Sequence, residues 1–190
     1  MAHDTKTALL DAAEKAARRR GFDGFSYSDL AEEVGIRKAS IHYHFPTKSD
    51  LSLALILRYT DSFFADLEEV KSARSTGAGR IDALIDIYRE ALFGGETVCL
   101  CVSFSAHADP LPEAVLSDIR SFRKGLIAWI ADALRLAQDD GTLRMSDMSD
   151  RDAPGVLALL EGAQLAARAQ GDLGPYDDAV TLLRSRFGKQ

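Results

Sequence analysis

The sequence contains no apolar run approaching about 18 residues and no basic-then-apolar leader. The expectation is therefore a cytoplasmic chain with no membrane span and no export signal. Cysteine is nearly missing as well: there are only two, Cys99 and Cys101. Two positions apart on a helix, their side chains diverge by roughly 200°, which makes a bridge between them geometrically poor and excludes a disulfide scaffold. No further Cys or His stands beside them at ligand spacing, so zinc is not expected. His42 and His44 do not change this, since helical metal pairs sit three or four residues apart. There is no nucleophile–base–acid set and no phosphate-cradling Gly loop, so neither an enzyme nor a cofactor is expected. Internal repeats, low-complexity tracts and convincing strands are missing too.

An excess of positive charge is also lacking. The net charge of −6 argues at first against a nucleic-acid partner, but the charge is uneven. Residues 1–48 hold eight Lys/Arg against seven Asp/Glu, and the remainder 15 against 22. A near-neutral head with clustered cations (Arg18, Arg19, Arg20, then Arg37, Lys38, Lys48) remains able to meet phosphates.

What is present is helical periodicity from end to end. The spacing predicts a first helix from Asp4 or Thr5 to Arg20, stopped by Gly21. A second begins at the cap Ser26, with Asp29 three residues on, and ends at Gly35. A third runs from about Lys38 to Phe45 and is closed by Pro46. Two short helices joined by a Gly-led turn make a helix-turn-helix pattern, anchored by Ile36, Ile41 and Phe45. A long helix follows from Lys48 to about Lys71, then a Ser/Gly loop at 72–79. The next helix carries Ile81, Leu84, Ile85, Tyr88 and Leu92, and Gly94-Gly95 breaks it. An apolar helix is expected over Val98–Ala108. One led by Pro112 carries Val115 to Ala133, and a polar loop covers about 138–152. The last two helices are expected near Pro154–Gln170 and Tyr176–Phe187. The fold class is all-α.

The stretch GFDGFSYSDLAEEVGIRKASIHYHFPTKSDL, residues 21–51, resembles the head of the TetR family of transcriptional regulators. The matching features are Gly21-Phe22, Ser26, Leu30-Ala31, Val34-Gly35-Ile36, Lys38, Ser40-Ile41, His44-Phe45 and Lys48, without a gap. The resemblance covers about a sixth of the chain; the rest matches only in layout.

The resemblance implies a helix-turn-helix DNA-binding head at 1–48 and a helical effector-binding and dimerisation body at 49–190. It also implies a homodimer on a palindromic double-stranded operator, usually a repressor released by a small-molecule effector. The family's DNA contacts fall on Tyr27, Ser28, Lys38, Ala39, Ser40, His42, Tyr43, His44 and Lys48. Ser26 joins them, because it opens the second helix with Tyr27, where backbone amides favour a phosphate. Lys38 and Ser40 start the third helix, where side chains reach base edges, and Ala39 suits a thymine methyl. Tyr43 and Lys48 suit phosphates, which set register. One position departs from the pattern: the family usually has Tyr where this chain has His42.

For the body, Phe63, Phe64, Tyr88, Phe104 and Trp129 are candidates for an aromatic-rich effector pocket, or for plain core. His107 joins them because the matching helix of the family borders the effector cavity. Small residues on the eighth helix, with the ninth, suit a four-helix dimer seam through Ala158, Gly162, Ala166, Val180 and Leu183. Three alternatives stay open. One is control by oxidation of Cys99 or Cys101, although no Lys or Arg lies between Arg89 and Arg120 to activate a thiol. The others are a DNA binder without an effector, and a helical small-molecule-binding protein or enzyme.

Overall fold

The computed structural model describes residues 5–106, 111–143 and 151–187. Among these it contains nine α-helices: α1 (Thr5–Arg20), α2 (Tyr27–Val34), α3 (Lys38–His44), α4 (Lys48–Ala73), α5 (Gly77–Glu90), α6 (Leu100–Ser105), α7 (Glu113–Asp139), α8 (Asp152–Gln170) and α9 (Gly174–Arg184). Short 3₁₀ turns lie at Phe22–Gly24 and Phe93–Gly95. No described residue lies in a strand; Leu143 and Phe187 form an isolated antiparallel bridge. None of the helices is long and apolar enough to cross a membrane. The all-α expectation holds.

The helix starts follow from capping. The Ser26 side chain accepts from the Asp29 N–H at 3.3 Å, and Asp29 accepts from the Ser26 N–H at 2.7 Å. This reciprocal pair satisfies two N–H groups that the first turn of α2 leaves open. Thr47 and Asp50 repeat the device at the start of α4, with bonds of 2.9 and 3.1 Å. Gly35 ends α2 in the left-handed region (φ 73°), where a side chain would be strained.

Three helices depart from their expected bounds. α5 starts at Gly77, inside the predicted loop, because Thr76 caps it and Asp140 accepts the Gly77 N–H at 2.7 Å. Gly77 is there for close approach: a Cβ would lie 2.1 Å from the Ala137 nitrogen and 2.4 Å from the Ala133 oxygen. α6 is shorter than predicted, so that Cys99 precedes it and only Cys101 lies within it. α9 starts earlier and ends earlier than predicted, with Pro175 in its first turn.

The described chain forms two compact units. One comprises residues up to 61 together with 100–120, and the other 62–99 together with 121–190. In the first, α1 is held to α4 by Arg58, which bonds Asp11 at 2.7 Å and Glu14 at 2.8 Å. α6 packs on α1: the buried Ser103 hydroxyl donates to the Ala17 carbonyl at 2.6 Å, and Phe104 meets Phe22 edge-on at 6.2 Å. In the second unit, buried Gln164 of α8 accepts the Cys99 N–H at 3.0 Å and donates to the Tyr88 carbonyl at 2.7 Å. There α9 is tied to α5 by the Tyr176 hydroxyl on the Ile85 carbonyl at 2.7 Å and by the Arg89–Asp177 pair.

Candidate nucleic-acid interface

α3 is seven residues long and sits on fully buried Ile41, with Phe45 just beyond its end 3% exposed. Those two anchors turn the opposite face outward. Lys38, Ala39, His42 and Tyr43 are all exposed on it, and Ser40 and His44 are half-buried at its flanks. Lys38 and His42 stand one turn apart, as do Ala39 and Tyr43, so each pair shares a strip of surface. Tyr43 is 84% exposed. A cleft of about 500 Å³ runs along this helix, lined by Ala39, Ser40, Tyr43 and His44 with Arg37 and Thr5.

The supporting residues take up two positions that the resemblance assigns to DNA. Tyr27 is buried (8% exposed), and its hydroxyl donates to the Phe45 carbonyl at 2.8 Å, locking the start of α2 to the end of α3. Burial, reinforced by the Asp50 carboxylate, pushes the Tyr27 phenol up to about 12, so it stays a neutral donor. Lys48 sends its ammonium to the Phe25 carbonyl at 2.8 Å and lies over the rings of Phe22 and Phe25 at 4.7 and 4.5 Å. Its burial lowers the pKa from the ordinary lysine value, with Asp23 and Asp29 opposing. Ser26 is engaged in its capping box, and the Asp29 carboxylate is held below its ordinary range by those same bonds to Ser26. Ser28 is exposed.

His42 has a defined setting. Its Nδ1 lies 3.2 Å from the Pro46 carbonyl oxygen, and its ring meets Tyr27 edge-on at 4.9 Å. Sequence reasoning did not foresee that Tyr27, Phe45, Pro46 and His42 form one linked group. Only the Pro46 stop hinted at it.

In the second unit, Phe63, Phe64 and Tyr88 come together, and Phe122 completes the cluster at 5.1 Å from Phe63 and 5.7 Å from Phe64. Trp129 is buried, and its indole Nε1 has no hydrogen-bond partner among the described residues. Phe104 belongs to the first unit, on Phe22. His107 lies outside the described residues. Cys99 and Cys101 are both buried and form no disulfide. Among the described residues no group of His, Cys, Asp and Glu has the arrangement of a metal site.

On α8, Ala158, Gly162 and Ala166 are exposed and share a stripe with Gly155, Leu165 and Ala169. A Cβ at Gly155 or Gly162 would meet nothing within 4 Å. On α9, Val180 and Leu183 are buried within the chain itself, whereas Leu182 is 69% exposed. The outward apolar position of α9 is thus Leu182, between the predicted Val180 and Leu183.

Residues 9–55 match the model of the bacterial regulatory proteins of the tetR family. The chain is 26% identical over 189 residues to the HTH-type transcriptional repressor NemR of Escherichia coli K12, covering 96% of this chain and 94% of that protein. A TetR-family regulator from Agrobacterium tumefaciens superposes with a TM-score of 0.90 at 28% identity, over 97% of this chain and 98% of that one. The reduced form of Escherichia coli NemR gives 0.82 at 25% identity, over 99% of each. A helix-turn-helix head that matches the tetR-family model, continued by a helical body similar nearly end to end to those of TetR-family regulators, is the resemblance that these comparisons establish.

Proposed function

We propose that the chain is a homodimeric repressor that binds a palindromic operator through α3 and is released by a small, fairly apolar effector. One observation carries the DNA reading: the outward face of Lys38, Ala39, His42 and Tyr43 over the buried anchors Ile41 and Phe45. Lys38 and Ser40 read base edges, Ala39 meets a thymine methyl, and Tyr43 and His44 hold phosphates. Ser28 and the first amides of α2 add a backbone contact. Lys48 and Tyr27 act mainly by fixing α3 against α2, with the remaining ammonium protons of Lys48 turned to phosphate.

In this reading residues 1–48 are the DNA-binding domain and 49–190 the effector and dimerisation domain. The exposed stripe Ala158–Gly162–Ala166 with Leu182 pairs with its copy across a two-fold axis. The Phe63–Phe64–Tyr88 cluster and Trp129 contribute to the effector pocket. Half-sites stand ~34 Å apart or a multiple of it, so a small shift of α4 on effector binding weakens the operator complex. NemR, a repressor, supports the sign of regulation. Control by Cys99 or Cys101 is the weaker reading, because both thiols are buried. The protein acts in the cytoplasm and without catalysis.

Selection of bound duplexes from a random pool tests this. A palindrome with half-sites one turn apart is expected. Enrichment of no sequence, or of a single asymmetric site, overturns the reading.

A further inference from the structure

We propose that His42 is a specificity residue that reads an exocyclic amine, adenine N6 or cytosine N4, with its Nε2 as acceptor. The inference rests on the proposed DNA-binding role of α3. Its starting point is the bond between His42 and the Pro46 carbonyl at 3.2 Å. A carbonyl oxygen only accepts, so Nδ1 carries the proton. In the neutral ring Nε2 is then a lone-pair acceptor and nothing else.

The ring is not free to offer its other nitrogen. Tyr27 meets it edge-on at 4.9 Å with the planes 61° apart, and Tyr27 is itself fixed by its bond to the Phe45 carbonyl at 2.8 Å. Pro46 supplies the carbonyl from a backbone whose φ the proline ring sets. Turning the imidazole over would lose the Pro46 bond. The Pro46 carbonyl thus sets the tautomer and the Tyr27 contact sets the place of the ring, while the residue stays exposed on the same strip as Lys38.

In that neutral form the tip is an acceptor only and has a narrow set of partners. It gains nothing from phosphate oxygens, which are acceptors themselves, nor from guanine O6/N7 or thymine O4 in the major groove. The amines of adenine and cytosine are the only major-groove donors. Lys38, a pure donor one turn earlier, selects the opposite set. The two residues therefore present complementary polarity along one strip of the recognition helix.

The test uses the full-length protein. Duplexes are selected from a random pool by the wild type and by His42→Ala, and wild-type affinity is measured on the selected operator and on one whose base at the His42 position lacks its exocyclic amine. Expected is one base pair per half-site where His42→Ala abolishes the preference while the other positions keep theirs. Removing the amine is expected to weaken wild-type binding about three- to tenfold; because that arm uses the unaltered protein, it does not depend on how the variant folds. An unchanged preference in His42→Ala, or wild-type binding indifferent to the amine, overturns the proposal. A wild-type selection that yields no palindrome overturns the operator reading first and this inference with it.

Discussion

Lys48 holds the Phe25 carbonyl at 2.8 Å and rides over the Phe25 ring at 4.5 Å, so one cation fastens the first residue of α4 to the turn before α2. That contact gives the side chain two roles. Lys48→Ala is expected to lower stability by about 1–2 kcal/mol, from a charge-assisted hydrogen bond and two ring contacts. It is also expected to reduce the salt dependence of operator binding by ~1 in log–log slope. Urea denaturation and a salt titration separate the two; an unchanged slope assigns Lys48 to the fold alone.

Tyr27→Phe removes only the hydroxyl that satisfies the Phe45 carbonyl. About 1–2 kcal/mol should be lost, or ~2–4 °C of Tm for each kcal/mol in a chain this size. The pH sign follows from the raised phenol. Stability from the neutral hydroxyl is fully present below the unfolded pKa of about 10 and is lost as pH rises through about 12. Melting curves between those limits should fall more steeply for the wild type than for the variant.

Gln164→Glu keeps size and one acceptor but, when ionised, cannot donate to the Tyr88 carbonyl, which Gln164 now meets at 2.7 Å. The cost is expected to be about 2–3 kcal/mol, since a buried acceptor and a buried charge are both left uncompensated. A midpoint in urea equal to that of the wild type would show the amide pair to be unimportant.

Leu182→Glu and Leu183→Ala should part company. Leu182 is 69% exposed and Leu183 3%. The first is expected to give a folded monomer by sedimentation, with operator affinity reduced about a hundredfold or more through lost bivalency. The second should remain dimeric when folded but lose about 2–4 kcal/mol from cavity formation. A dimeric Leu182→Glu would place the seam elsewhere.

Lys38→Ala and Ser40→Ala are expected to alter which bases are selected, with each lost base contact worth about 1–3 kcal/mol of discrimination. Equal loss on all duplexes would make them backbone contacts instead.

The helix-turn-helix was legible because its signals are local. The Ser26–Asp29 box, Gly35 at positive φ, Ile41 inward and Pro46 as a stop each involve residues a few positions apart. The body's pocket and seam candidates were less legible. Phe104 has the composition of a pocket residue and packs on Phe22; Val180 and Leu183 have the spacing of a seam and are core. An apolar stripe states that a face is covered, not by what.

Local signals were enough for the all-α class, the head with α3 turned outward and the resemblance to TetR-family regulators, because periodicity, caps and turn residues act over one or two helical turns. Tertiary structure decided which side chains serve the head's own packing. Tyr27 and Lys48 bond carbonyls 18 and 23 residues away, and His42 owes its ring contact to Tyr27 on the neighbouring helix. It also decided where α5 begins, since Gly77 is helical because Asp140 lies across from it. Hydrogen-bond partners supplied by distant segments leave no trace in local periodicity, and they are what separates a side chain free to meet DNA from one already spent on the fold.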